Sequence, residues 1–254
     1  MRTPEERERH LILTALHQDG VEEIFLPAPK RSQKPRTSKP LEPPPQTQGA
    51  SRPVAKGNAV STPADLAGVK NLEALQALAS QCLLCGELAA QRRSVVFGSG
   101  SPSAKLMFVG EAPGHEEDLQ GMPFVGEAGG LLTKIISAIG LTREQVFIAN
   151  TLKCRPPMNR QPRPEEIANC SPYLMKQIEI IRPRIICALG AFASQTLLQT
   201  TEPISKLRGR WMDFRDGIKV MCTFHPAYLL RNPSEKRKVW EDMQRIQKEL
   251  EGLA

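Results

Sequence analysis

The chain has 254 residues, of which 40% are apolar and 24% are charged, and its formal net charge is +7. This length allows one sizeable core with an appendage, or two small domains. No uninterrupted apolar stretch is long enough to span a membrane, which argues against a membrane protein. The amino-terminal segment mixes acidic with basic residues and does not fit a secretory signal. We therefore expect a soluble, cytoplasmic protein.

The first part of the chain predicts two segments that contribute little to a core. Thr3, Pro4 and Glu6 form a capping box, which predicts a short helical segment within residues 1–26. Residues 27–64 are rich in proline and basic side chains and have almost nothing to bury, which predicts a disordered linker. The folded domain is then expected to occupy residues 65–254.

Helical and strand patterns alternate through this domain. Buried strands are predicted over residues 105–110, 145–150 and 184–190, and a hairpin turning at Asp216 and Gly217 leads into a fourth core strand. Helical segments separate the strands. This alternation predicts an α/β fold, a three-layer α/β/α sandwich around a mostly parallel four-stranded sheet.

Polar residues occur where the predicted strands end. Glu111 follows the first strand, Asn150 ends the second, Gly190 ends the third and His225 follows the last. The carboxyl ends of parallel strands meet at one edge of a sheet, where such folds bind their ligands. We therefore expect these separated segments to converge on one cleft.

The segment GEAPGHEED, residues 110–118, begins like a phosphate-binding turn but does not fit one. It lacks a following Gly-Lys-Ser/Thr, and Gly110 and Gly114 have the wrong spacing for a dinucleotide-binding fingerprint. Its carboxylates would repel a phosphate. Such a run is usually a solvated acidic turn, but Glu111 directly follows a buried strand and is a candidate for orienting a water molecule.

Four of the six cysteines have polar, turn-like surroundings. These are Cys82, Cys85, Cys154 and Cys170. Four thiolates from two separated segments can bind a tetrahedral zinc ion or a 4Fe-4S cluster, and their spacing alone leaves both open. Either group would hold a long loop in place, because four protein ligands leave no open position. Cys187 and Cys222 lie in apolar strands and are interpreted as buried thiols.

Two further segments offer apolar or aromatic groups to a ligand. HPAYLLRNP, residues 225–233, has a histidine at its base and two leucines, expected to be exposed, followed by arginine at its tip, which suits a wedge that enters stacked bases. GMPFVG, residues 121–126, places Phe124 in a turn where its ring could lie against a base. A structural histidine, a packed YLL and a core phenylalanine are the competing interpretations.

Taken together, these motifs closely resemble the family 4 uracil-DNA glycosylases, the iron-sulfur branch of that superfamily. The resemblance runs in one unbroken order from about Leu72 to Leu250 and includes IANTLKCRPPMNRQP and GMPFVGEAGGLL. It implies a monofunctional DNA repair hydrolase that flips uracil out of DNA, cleaves its N-glycosidic bond and leaves an abasic site. It also implies a 4Fe-4S cluster on Cys82, Cys85, Cys154 and Cys170.

The resemblance further implies a role for each site residue. Glu111 would position or activate the attacking water, and His225 would donate to uracil O2 as negative charge develops there. Asn150 would read the uracil edge and Phe124 would stack on the ring. The remaining implied contacts are the backbone near Ala112, Glu117 beside uracil C5, and a DNA wedge of Tyr228, Leu229, Leu230 and Arg231.

The implied partner is uracil-containing DNA, bound by a monomer. A related branch that binds uracil-DNA covalently carries a basic insertion with a nucleophilic histidine, and EEDLQGMPF is too short to contain it. Turnover is therefore expected. Two alternatives remain: a non-catalytic iron-sulfur module that binds uracil or DNA, and an electron-transfer protein.

Overall fold

The structure is a computed structural model that describes residues 66–252. The predicted helical segment 1–26 and the predicted linker 27–64 lie outside the described residues. Within the described part, no helix combines the length and apolar character needed to cross a bilayer.

A mixed sheet forms the centre of the fold. Its strands are β1 (Ser99–Gly100), β2 (Leu106–Gly110), β3 (Phe147–Asn150), β4 (Ile185–Leu189), β5 (Trp211–Asp213) and β6 (Lys219–Thr223). The order is β1-β3-β2-β4-β6-β5, with parallel pairing among the four inner strands and antiparallel pairing at both edges. The predicted parallel core is therefore confirmed. The described sheet has six strands rather than four, because β5 of the predicted hairpin and the two-residue β1 extend it.

Helices cover both faces of this sheet. Those of the described part are α1 (Leu72–Ser80), α2 (Gly86–Gln91), α3 (His115–Gln120), α4 (Glu127–Ala138), α5 (Pro164–Ile181), α6 (Gly190–Leu198), α7 (Ile204–Leu207), α8 (Pro226–Arg231) and α9 (Lys236–Glu251). Short 3-10 turns occur at Pro157–Asn159, Arg215–Gly217 and Pro233–Glu235.

Strand β2 shows how the layers form. Every residue of β2 is buried, because side chains alternate between two covered faces. Leu106 and Phe108 pack with the apolar sides of α4 and α9, while Met107 and Val109 pack with those of α5 and α6. The three-layer prediction is thus confirmed, and its continuous apolar strands result from burial on both faces.

Two segments that the sequence predicted as loops contain short helices. The acidic segment forms α3, where the Glu117 carboxylate accepts a hydrogen bond from the Gly114 N–H at 3.1 Å. HPAYLLRNP forms α8, which has Pro226 at its first position and His225 as its N-cap. Each helix has only six residues, which is too short for a clear helical period in the sequence.

Candidate active site

The ends of β2 and β3 lie side by side. Gly110 pairs with Asn150 in the parallel register, and the Thr151 N–H donates to the Gly110 carbonyl at 2.9 Å. One residue further, the Leu152 N–H donates to the Glu111 carbonyl at 3.0 Å. Backbone pairing therefore continues past β3 and fixes Glu111 beside Asn150.

A cleft of about 420 Å³ opens at this edge of the sheet. Eight of the ten residues predicted for catalysis, substrate binding and the wedge line it: Glu111, Ala112, Glu117, Phe124, Asn150, His225, Tyr228 and Arg231. The expected convergence of separated segments on one cleft is observed.

Two glycines allow this convergence. A Cβ atom on Gly110 would overlap the Asn150 side-chain oxygen and lie 2.6 Å from the Phe124 ring. Gly190 has a φ of +87°, and a Cβ there would approach the His225 Cβ to 3.0 Å. Both strand ends therefore need glycine, since larger residues would push the neighbouring side chains out of place.

Asn150 presents an unpaired acceptor in the cleft. Its side chain is 2% exposed, and its Oδ1 has no hydrogen-bond partner. Leaving a buried polar atom unpaired costs free energy, and such atoms are uncommon in folded proteins. The arrangement suits a side chain that reads a hydrogen-bond donor of a bound molecule.

Lys153 holds Asn150 from behind and was not predicted. The buried Lys153 Nζ donates to the Asn150 carbonyl at 2.8 Å and to the Gln177 Oε1 at 2.6 Å. Burial lowers the pKa of Lys153 to about 8. A charged residue three positions after a buried strand and directly before a cysteine was the available sequence signal.

His225 is a neutral hydrogen-bond donor. Its Nδ1 accepts the Ala227 N–H at 3.2 Å, which leaves the ring proton on Nε2. Burial, with a smaller contribution from the charge of Arg231, lowers the pKa of His225 to about 4, while Glu117 acts in the opposite direction. The imidazole is therefore uncharged at neutral pH and can donate from Nε2. Its ring centroid lies 5.6 Å from that of Phe124.

Glu111 is a half-buried carboxylate at the end of β2. Burial raises its pKa, because the charged form loses solvation. A carboxylate with a raised pKa accepts a proton from water more readily than an exposed one. Its position in the cleft therefore suits a group that orients or activates a water molecule.

The Phe124 turn is held on its amide side by Glu117. Phe124 has a φ of 54°, in the left-handed region that a phenylalanine rarely adopts. The Glu117 Oε1 accepts the two backbone N–H groups that follow Phe124, at 2.9 and 3.0 Å. Glu117 therefore braces the turn as well as lining the cleft.

Arg143 holds the same turn on its carbonyl side and was missed by the sequence analysis. Its guanidinium donates to the Pro123 carbonyl at 2.7 Å and to the Phe124 carbonyl at 3.1 Å. It also donates to the Thr133 Oγ1 at 3.2 Å. Nothing in the sequence near Arg143 marks it, because the contact joins residues about 20 positions apart that meet only in the folded chain.

The predicted wedge is only partly exposed. Tyr228 is 36% exposed and packs on Phe224 with ring centroids 5.1 Å apart, and Arg231 is also exposed. Leu230 is half-buried against the core. The expectation of two exposed leucines is wrong for Leu229, which is 1% exposed. The helical turn of α8 directs this side chain into the core toward α4, so Leu229 anchors the segment.

The four predicted ligand cysteines lie near one another, next to the cleft. The Cys85 thiol interacts electrostatically with Cys82 and Cys154, and the Cys170 thiol interacts with Cys85 and Cys154. Burial raises the pKa of Cys170 to about 12. Thiols with raised pKa values bind a metal only by releasing their protons.

Hydrogen-bond donors surround these sulfur atoms. Arg92 Nη1 donates to the Cys154 Sγ at 3.2 Å, and the Lys153 N–H donates to the Cys170 Sγ at 3.2 Å. Within residues 66–252, no three metal-binding side chains converge on a point as the ligands of a single ion do. A 4Fe-4S cluster holds one cysteine at each of four separate iron atoms, and hydrogen bonds to its sulfurs are common. Four thiols from separated segments, with hydrogen-bond donors at the Cys154 and Cys170 sulfurs, are the kind of donor set that a 4Fe-4S cluster uses.

Comparison with known proteins finds similarity to uracil-DNA glycosylases. Residues 97–244 match the sequence model described as the Uracil DNA glycosylase superfamily. A type-4 uracil-DNA glycosylase of Thermotoga maritima is 46% identical over 177 residues, covering 68% of this chain and 92% of that protein. A protein of the same description from Saccharolobus solfataricus is 44% identical over 188 residues, covering 71% and 87%. One from Archaeoglobus fulgidus is 40% identical over 184 residues, covering 69% and 92%.

Proposed function

This chain belongs to the type-4 uracil-DNA glycosylases, and we propose that it hydrolyses the N-glycosidic bond of uracil in DNA. The protein is thus a DNA repair enzyme whose products are free uracil and an abasic site. The observation that carries the proposal is the unpaired, buried Asn150 Oδ1, which shares a cleft with the neutral donor His225.

The depth of the cleft requires an extruded base. Asn150 is 2% exposed at the end of an inner strand, so a base still stacked in a duplex does not reach it. The uridine is therefore flipped out of the helix, which costs a few kcal/mol of stacking and pairing. Tyr228 and Arg231 at the mouth of the cleft are the proposed wedge that occupies the space left behind.

Uracil is recognised by its hydrogen-bond pattern. The Asn150 Oδ1 accepts from uracil N3–H, and the amide NH₂ donates to uracil O4. Cytosine presents an acceptor at N3 and a donor at the neighbouring position, so the same fixed amide opposes it. Phe124 stacks on the base, and the two-sided brace by Glu117 and Arg143 keeps its ring in place before the base arrives.

Hydrolysis breaks the bond between the sugar C1′ and uracil N1. The bonding electron pair moves onto uracil, where His225 Nε2–H stabilises the negative charge at O2. Because this imidazole is neutral, it donates a hydrogen bond without losing its proton to the base. Glu111 orients a water molecule, whose oxygen bonds to C1′ while the carboxylate takes its proton. The uracil anion then takes up a proton from solvent and Glu111 releases one, so that both products leave without a covalent adduct.

Two further proposed contacts to uracil concern the exclusion of thymine and the binding of the base. Glu117 lines the cleft and is proposed to exclude the thymine methyl group at C5, although its oxygens are already engaged by backbone N–H groups. The backbone near Ala112 is proposed to contact uracil. The backbone N–H of Gly114 already donates a hydrogen bond to the Glu117 carboxylate, so it does not donate to uracil.

A 4Fe-4S cluster on Cys82, Cys85, Cys154 and Cys170 is proposed as the resident cofactor. Such a group would join the segment of Cys82 and Cys85 to Cys154 and to Cys170 of α5. Since Asn150 and Cys154 lie four residues apart, this cross-link stabilises the wall of the cleft. The chemical step uses only Glu111 and His225.

We propose that the protein acts on uracil-containing DNA as a monomer. We propose the cytoplasm as its compartment, because the cysteines of the described part form no disulfide bonds, as is usual under reducing conditions.

Cleavage of a uracil-containing oligonucleotide tests the function directly. We expect alkali to cut the strand at the uracil position after incubation with the protein, while matched oligonucleotides with thymine or cytosine stay intact. An intact uracil strand together with tight binding would favour the non-catalytic module. Visible absorbance and an iron assay on anaerobically purified protein test the cluster separately, and zinc in place of iron would contradict it.

A further inference from the structure

Met158 is the most exposed large apolar side chain among the described residues. Its side chain is 92% exposed, whereas the next in order, Leu83, is 55% exposed. It belongs to none of the residues predicted for the site and to no core cluster. Single exposed apolar residues are common on proteins, so its backbone and its position decide whether it matters.

The turn that carries Met158 has a strained backbone held by hydrogen bonds. Met158 and Asn159 both have left-handed backbones, with φ values of 53° and 54°. The Asn159 N–H donates to the Pro156 carbonyl at 3.0 Å, and Arg155 Nε donates to the Asn159 Oδ1 at 2.7 Å. Left-handed backbone costs free energy at residues other than glycine. These hydrogen bonds hold the backbone of the turn in a shape that directs the Met158 side chain into solvent.

The base of this turn borders the uracil cleft. Pro156, Asn159 and Arg160 line it, as do Tyr228 and Arg231 of α8. DNA that delivers a base into the cleft must therefore pass close to both elements. The turn at Pro157–Asn159 is a second projection beside the same opening.

The charge around the turn fits a DNA strand. Arg155 is held by the His115 Nδ1 at 3.0 Å and by the Asn159 Oδ1, so no carboxylate cancels its charge at these contacts. Arg160 is different, because it pairs with Glu166 at 2.6 Å and serves to anchor the loop. An apolar side chain beside a guanidinium whose charge is not neutralised by these contacts is the combination that inserts between bases while contacting a phosphate.

We propose that Met158 is a second DNA-inserting residue, which enters the base stack next to the extruded uridine. Methionine is unbranched and flexible, so it fills the irregular gap of a disrupted base step. This inference rests on the proposed uracil excision and adds a contact that supports base extrusion in duplex DNA.

Met158→Ala tests the proposal on two substrates. We expect its kcat/KM for uracil in a duplex to fall about tenfold, in the range that stacking contacts contribute. For uracil in a single strand, where no stack needs to be opened, we expect little change. Melting temperature should not change, because the side chain is exposed. Leu119→Ala, which removes an exposed apolar side chain outside the cleft lining, is the matched control.

A binding measurement gives an independent readout. A duplex with non-cleavable 2′-fluorouridine next to 2-aminopurine should brighten on binding wild-type protein, and Met158→Ala should lose most of this increase. No loss on the duplex, an equal loss on both substrates or an equal loss in Leu119→Ala would overturn the proposal. Wild-type cleavage of the uracil duplex would still stand in each case, so the proposed function is tested separately.

Discussion

Two cavities lie at opposite ends of the strands of the same sheet, and the larger one is not the proposed site. The cavity of about 930 Å³ borders Arg184 before β4 and Ile218 before β6, at the amino ends of the strands. The cleft of about 420 Å³ lies at the carboxyl ends. The larger volume alone would favour the cavity at the amino ends, whereas parallel-sheet folds bind their ligands at the carboxyl ends of the strands.

The side chains that line the two cavities explain why the smaller one is the candidate active site. In the larger cavity Lys176 is paired with Glu179 at 2.7 Å, and Asp216 occupies a left-handed turn position. In the cleft, Asn150 Oδ1 is buried without a partner, and burial lowers the pKa of His225 to about 4. Unpaired polar atoms and shifted pKa values, rather than volume, therefore distinguish the candidate active site.

The largest expected effect is that of His225→Ala. Losing a single donor to a developing oxyanion typically lowers the rate about 10²- to 10³-fold, and we expect single-turnover cleavage of a uracil duplex to fall by this factor. Leu119→Ala is the control, since Leu119 is exposed and does not line the cleft. A wild-type rate for His225→Ala would show that His225 does not take part in the reaction, and the cleft would then lose its main chemical difference from the larger cavity.

The protonation of His225 can be measured on its own. Its pKa lies near 4 in the folded protein, below the ordinary value of 6.5, so the folded state does not bind the proton between these values. The unfolded chain does, so this residue makes the folded state less stable as pH falls from 6.5 to 4. Two-dimensional NMR should show a neutral Nε2–H tautomer at pH 6, and a midpoint near 6.5 would contradict the assignment.

Asn150→Ala should have the next largest effect. We expect kcat/KM on uracil to fall about 10- to 100-fold, because a bidentate amide contact to a base is worth about 1–3 kcal/mol. The expected cause is loss of base reading, so discrimination between uracil and cytosine should also weaken. Gln145→Ala, which removes an exposed amide away from the cleft, should retain wild-type activity. Unchanged selectivity in Asn150→Ala would be incompatible with its role.

Arg143→Ala should have a smaller effect, through the position of Phe124. We expect kcat/KM to fall about tenfold, mainly through KM, since the contribution of stacking to base binding is lost. Arg143→Lys should restore part of it, because lysine can donate to one carbonyl but not to both. Arg237→Ala, at an exposed position of α9, serves as the control. A kcat effect without a KM effect would argue against a stacking role.

The smallest effect on cleavage is expected for a substitution in the larger cavity, at the amino ends of the strands. Arg215→Ala removes a positive charge that lines the larger cavity, and we expect cleavage to stay within about twofold of wild type, as for surface substitutions. A measured loss equal to that of Arg143→Ala would show that the amino-end cavity takes part in catalysis.

The fold and much of the cleft could be predicted from local pattern. The strands ending at Gly110 and Asn150 are apolar runs with clear boundaries, and a parallel sheet brings their ends together whatever the loops do. The helices α3 and α8 could not be predicted, because six residues do not show a period. Leu229 was misplaced for this reason, since the turn of α8 decides which of two adjacent leucines is buried.

The sequence by itself determined the α/β class, the residues at the strand ends and the set of four cysteines, because each depends on neighbours along the chain. Only the tertiary structure decided that Arg143 holds the Phe124 turn, that Lys153 supports Asn150 and that the His225 ring is neutral. Those properties depend on burial and on contacts between distant segments, and neither exists until the chain has folded.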